Sequence, residues 1–97
     1  MSLISEIKEL VKSNDLINQA KRGLDDILKN NSSSELNLPG ADTIVEKLDS
    51  YSVVVNHDKT HVLRVRLNLF IKNHQVGYYD YETDFNGVFH DEYFVIK

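Results

Sequence analysis

The chain has 97 residues, of which 41% are hydrophobic and 27% charged. A domain of this size buries only about 60 to 65% of the surface its unfolded chain exposes, which allows one modest core and excludes a catalytic domain joined to a second module. Lys and Arg number 11 against 15 Asp and Glu, a net charge of −4, which argues against general nucleic-acid binding because neutralising phosphates takes clustered cations; the absence of cysteine excludes disulfides, thiolate nucleophiles and thiolate zinc sites.

The chain opens MSLISEIKEL, with two acidic residues among the first nine. It contains neither a signal-peptide core nor the ~20 apolar residues that span a bilayer. A cytoplasmic protein without membrane contact is therefore expected. Over residues 2–29, Leu3, Ile4, Ile7, Leu10, Val11, Leu16, Ile17, Ala20, Leu24, Ile27 and Leu28 recur every three or four positions, the pattern of an amphipathic helix. Ser13, Asn14 and Asp15 interrupt it with residue types that favour caps, so the segment predicts one helix or a helix pair, with Ser13 or Asn14 capping the second. Asn14, Asn18 and Lys21 spoil a coiled-coil seam, which leaves packing on a sheet as the expected use of the apolar face.

Residues 30–34 are polar, and Leu38, Pro39 and Gly40 signal a turn. Thr43 and Glu46 then fit a capping box, which predicts a short helix over 43–50 with Ile44 and Leu48 on one side. Strands are predicted over 51–56, 61–72, 76–84 and 88–96 from β-branched content and alternation, joined by a polar turn at 57–60, a loop at 73–75 and the hairpin dipeptide Asn86-Gly87. The fold class read from this order is α+β. Residues 1–97 form a single domain, with the helices on one face of a four-stranded antiparallel meander.

Along the second strand Leu63, Val65, Leu67, Leu69 and Ile71 take one face, and Arg64, Arg66, Asn68 and Lys72 the other. A three-residue loop at 73–75 sets Phe70 opposite Tyr78, Asn68 opposite Asp80, Arg66 opposite Glu82 and Arg64 opposite Asp84. Like then meets like and charges meet opposite charges, as cross-strand energetics favour. A two-residue loop is disfavoured because it opposes Asp80 and Glu82 to Leu67 and Val65. Continuing through Asn86-Gly87 places Tyr79 and Tyr81 beside Val95 and Tyr93 on the buried side, with Glu82 near Glu92 and Asp84 near His90 outside. The outward face has two readings. It is either a solvated surface whose carboxylates Arg64 and Arg66 relieve, or an acidic, aromatic-flanked patch in which Tyr78, Asp80, Glu82, Asp84, Asp91 and Glu92 receive a basic protein.

Glu82, Asp84, Asn86 and Gly87 have the spacing of the start of a calcium-binding EF-hand loop, but position twelve is Tyr93 and the flanks are strand-like. His57, His61 and His74 sit in or beside turns without a convergent third ligand. Asp84, His90 and Asp91 could be drawn as an acid/base set, yet neither a nucleophile elbow nor a glycine-rich phosphate loop accompanies them. No catalytic residue, metal or cofactor is expected.

Small, acidic, cysteine-free α+β chains ending in a meander such as GYYDYETDFNGVFHDEYFVIK resemble bacterial immunity proteins, including those of contact-dependent growth inhibition systems. The resemblance covers the overall plan and this C-terminal fifth of the chain. It implies a cytoplasmic inhibitor that binds and blocks the toxin domain of a cognate partner, often a basic nuclease. The rival readings are a self-associating domain that pairs as a homodimer through helices or a sheet edge, and a ligand binder or enzyme with a pocket between helix and sheet.

Overall fold

The computed structural model describes residues 3–31, 36 and 44–97. Two helices, α1 (Leu3–Ser13) and α2 (Leu16–Asn30), precede four strands, β1 (Val45–Val55), β2 (His61–Ile71), β3 (His74–Thr83) and β4 (Phe89–Ile96). The strands form one antiparallel sheet in the order β1-β2-β3-β4. The architecture is α+β, with both helices on one face of a meander.

The break between the helices falls at Asn14 and Asp15. Asp15 adopts a left-handed conformation (φ 54°) and stands at the N-cap of α2, although its side chain makes no capping hydrogen bond. Asp and Asn tolerate that region better than other chiral residues, so the chain can turn sharply here. The expected caps act elsewhere. The Ser13 hydroxyl donates back to the Glu9 carbonyl (2.7 Å), and the Asn14 amide reaches the Phe85 carbonyl at the far hairpin (3.3 Å).

Leu16, Ala20 and Leu24 of α2 recur every fourth residue and are buried with Val11 of α1. They meet Leu63, Val65, Leu67 and Leu69 of β2 and Tyr79 and Tyr81 of β3, with Tyr51, Val53, Phe94 and Ile96 packed around them. The inward face predicted for β2 is the observed one. Among the described residues, no helix is long and apolar enough to cross a membrane.

The helix expected over 43–50 is not formed, because residues from Val45 onward belong to β1; Thr43, the proposed cap, lies outside the described residues. Val45 pairs with Phe70 and Leu48 with Leu67. An eight-residue helix would leave most of its own terminal N–H and C=O groups unpaired. Extending β1 instead satisfies the edge of the 11-residue β2.

The expected register is also corrected. The β2–β3 turn is a two-residue one at Lys72 and Asn73, with φ of 50° and 65°, the left-handed pair that matches strand twist. Val76 is then an extra residue in β3, since Leu69 pairs with Gly77 and Phe70 with Gln75. This bulge restores the alternation that a two-residue turn alone would invert. Arg64 therefore opposes Glu82 and Arg66 opposes Asp80, two positions from the expected register and on the expected face.

The β3–β4 loop is closed by the Asp84 N–H donating to the Val88 carbonyl (2.9 Å) and the Gly87 N–H donating to the Asp84 carbonyl (3.1 Å). Gly87 has φ 84°, a conformation only glycine adopts freely.

Candidate functional site

Helices cover only one side of the sheet, and no described element packs on the other. The second strand presents Arg64, Arg66, Asn68 and Phe70 there, because they alternate with its core residues. β3 adds Tyr78, Asp80 and Glu82, paired with Asn68, Arg66 and Arg64. β4 adds Asp91, Tyr93 and Val95, paired with Glu82, Asp80 and Tyr78.

Asp80 and Glu82 lie at the centre of this face but beneath its surface, only 2% and 0% exposed. The Arg66 guanidinium donates to both oxygens of Asp80, Nε to Oδ1 and Nη2 to Oδ2, each at 2.7 Å. Bidentate pairing of this kind fixes both side chains, and it holds the Arg66 guanidinium more firmly protonated than usual. Arg64 bridges the two carboxylates, with Nε 2.7 Å from Glu82 Oε2 and 3.7 Å from Asp80 Oδ2. Asn56, from the β1–β2 loop, donates to Glu82 Oε1. Isolated charges buried this deeply would be strongly unfavourable, and the ladder of opposite charges makes their burial tolerable.

The surface above the ladder is aromatic and cationic. The Arg66 guanidinium lies 4.0 Å from the centroid of the Tyr78 ring, and the Lys97 ammonium approaches the same ring at 5.5 Å. The Lys47 ammonium stands 5.0 Å from the Phe70 centroid. Tyr93 donates its hydroxyl to Asp91 Oδ2 (3.1 Å). At the loop end, His90 Nε2 lies 3.4 Å from Asp58 Oδ2.

The six residues expected to form an acidic patch are therefore dispersed. Tyr78 is the accessible centre of the open face, and Asp80 and Glu82 are its buried supports. Asp91 is on the same face, its carboxylate engaged by Tyr93 and by the Glu92 N–H (2.8 Å). Asp84 is a loop residue whose Oδ1 accepts from the N–H groups of Asn86 (2.8 Å) and Val88 (3.0 Å). Glu92 is on the opposite, helix-covered face, paired with Tyr81 rather than lying near Glu82.

The reason is a bulge in β4. Glu82 pairs with Asp91 but Thr83 with Phe89, which leaves His90 unpaired and exchanges the faces of every residue after it. Phe94 and Ile96 thereby reach the core, while Tyr93 and Val95, expected inside, turn outward. Asn56 had no sequence signal, because its contact with Glu82 depends on where the β1–β2 loop folds over the sheet. Comparison with protein-family models, curated proteins and solved structures finds no match to this chain.

Proposed function

We propose that the chain is a cytoplasmic protein-binding module of the immunity type, which neutralises a cognate, basic toxin domain through the open face of its sheet. The observation that carries this reading is the make-up of that face, in which Tyr78 stacks on an Arg66 locked by buried Asp80. Tyr and Arg are the residue types that most often anchor protein interfaces. A guanidinium already held in place loses little rotamer freedom when a partner covers it, so preorganisation favours affinity. The charge argument changes location as well. With Asp80 and Glu82 neutralised internally, attraction of a basic partner comes from the net charge of −4 acting at a distance, while contact energy comes from the aromatic centre.

A second reading rests on a different observation. β1 is an edge strand whose Val45, Leu48 and Val55 are 51%, 45% and 57% exposed. A long edge with exposed apolar residues is a template for pairing with another chain, which would give a homodimer.

The two readings separate in one experiment. Tagged protein and a Tyr78→Ala variant are used to capture partners from the source cells at low and high salt, and each recovered protein is then tested for growth inhibition relieved by co-expression. Salt-sensitive recovery of one basic, growth-inhibiting domain by the parent but not by the variant is the expected result. Equal recovery by both proteins would remove the open face from the interface, and recovery of the chain alone, dimeric on a sizing column, would favour the β1 edge.

A further inference from the structure

The helix-covered side of the sheet holds a cleft that the open-face reading leaves unused. Where α2 passes over β3 and β4, a cleft of about 450 Å³ opens between Arg22, Gly23 and Asp26 on the helix and Tyr81, Phe89 and Glu92 on the sheet. A second lobe of about 270 Å³ continues along the helix past Asn30 and Asn31. Gly23, Asp26 and Glu92 line both lobes, so two carboxylates stand at the waist.

Among the described residues, neither the Asp26 nor the Glu92 carboxylate is ion-paired. Burial, Asp91 and Asp26 together hold the Glu92 carboxyl above its ordinary range. Behind Gly23 lies a second unmet group, the fully buried hydroxyl of Tyr79, which has no hydrogen-bond partner among the described residues. It faces Gly23, where an added Cβ would collide with it. Burial first, then Glu92, Tyr81 and Asp26, keep this phenol protonated. A buried hydroxyl left unpaired is unfavourable by about 1 to 3 kcal/mol, and such groups in native structures call for an explanation.

The first lobe is walled differently. Tyr81 and Phe89 form a tilted aromatic pair with centroids 5.4 Å apart, and the Tyr81 hydroxyl donates to Gln19 Oε1 (3.2 Å), which steadies the ring. Arg22 lines this lobe and not the second.

We propose that the cleft is a binding site for a monovalent organic ammonium bearing an apolar or aromatic body. The cationic head sits at the waist between Asp26 and Glu92, over Gly23, with the Tyr79 hydroxyl on the far side of that glycine, and the body lies on Tyr81 and Phe89. A cation there relieves the repulsion between two like charges and gains attraction from an aromatic face. Arg22 fixes the polarity of the site. A diamine would place its second positive charge beside that guanidinium, so single ammonium groups are selected.

Amide chemical shifts of the ¹⁵N-labelled full chain, titrated with 2-phenylethylammonium chloride, test the site. Saturable shifts at Gly23, Asp26, Tyr81 and Glu92 are expected. The neutral isostere 2-phenylethanol and the Glu92→Gln variant should each bind at least about tenfold more weakly, with the variant's spectrum unchanged outside the cleft. Shifts reproduced by sodium chloride, equal binding of the alcohol, or undiminished binding by Glu92→Gln would each overturn the proposal. The same head group occurs on a free amine and on a lysine side chain, so N-acetyl-lysine N-methylamide serves as the second probe. Its tighter saturation assigns the cleft to a polypeptide side chain and its weaker saturation to a free amine, while saturation by neither probe overturns the site.

Discussion

Glu82 has no exposed surface, and the protein answers its carboxyl group with Arg64 on one side and Asn56 on the other. Removing one member of such a set is far more damaging than removing both, because the survivor is left charged and buried. Arg64→Met should therefore destabilise by about 3 kcal/mol, the low end for a buried pair because the Arg64 side chain is 27% exposed. Adding Glu82→Leu should recover most of the loss. Urea titration of the two variants checks both, and a single variant as stable as the parent would contradict the ladder's role. That Arg64 and Arg66 face carboxylates was legible in the alternation of residues 62–72 and 76–84, whereas which carboxylates they meet, and the burial of those carboxylates, were not. Replacing Glu82 with Lys reads from the sequence as a surface change, and the fold makes it a lesion in a buried network.

Glu92 behaves oppositely. Its folded pKa is raised above 4.5 by burial, Asp91 and Asp26, so the folded state holds this proton more tightly than the unfolded chain. The stability contributed by protonation is fully present below 4.5 and is lost as pH rises through the raised value. Glu92→Gln should accordingly be more stable than the parent at neutral pH and indistinguishable from it below 4.5. Denaturation midpoints measured at both pH values decide this, and a variant that is less stable at neutral pH would show that the Glu92 carboxylate has a favourable partner.

At the scale of elements, single extra residues determine what the sheet presents. The ladders slip at Asp49 in β1, at Val76 in β3 and at His90 in β4, and each slip exchanges inward and outward positions beyond it. Binary patterning gave the faces of β2 because its 11 residues pair without an insertion of their own. It failed for β4, where Glu92 and Tyr93 changed sides through a bulge that no dipeptide marks. It failed again at 43–50, where Ile44 and Leu48 share both helical and strand spacing and only the neighbouring edge of β2 decides between them. Deleting Val76 should then cost no more than its half-buried side chain and its carbonyl's bond to the Lys97 N–H, since Gln75 still pairs with Phe70 and Gly77 with Leu69 and Asp80 and Glu82 keep both their partners and their face. Cooperative thermal unfolding at a lowered midpoint is expected, and loss of the transition would show that the bend made by the bulge, and not only the register, is needed for the sheet to close on the helices. Leu67, fully buried where β2 meets the helices, gives the reference for ordinary core damage. Leu67→Ala should lower stability by about 2 to 5 kcal/mol in a denaturant titration.

At the scale of the whole molecule, charge and contact chemistry are carried by different residues, and their kinetic signatures differ. The net charge of −4 acts over roughly the 8 to 10 Å Debye length of physiological salt and below, so on the proposed function it would accelerate encounter with a basic domain without requiring any one carboxylate at the interface. Tyr78 and Arg66 act only on contact. For the partner captured by the tagged chain, raising salt should therefore slow association while leaving dissociation nearly unchanged. Tyr78→Ala should do the reverse, speeding dissociation by roughly ten- to a hundredfold, as expected when a central anchor worth about 2 kcal/mol or more is truncated. Surface plasmon resonance across a salt series measures both rates. If salt instead acted mainly on dissociation, charged side chains would have to be desolvated within the interface itself. The acidic residues of the loop end, exposed Asp58 and half-buried Asp84, would then replace Tyr78 as the centre of the contact, because the carboxylates beneath Tyr78 are already paired with Arg64 and Arg66.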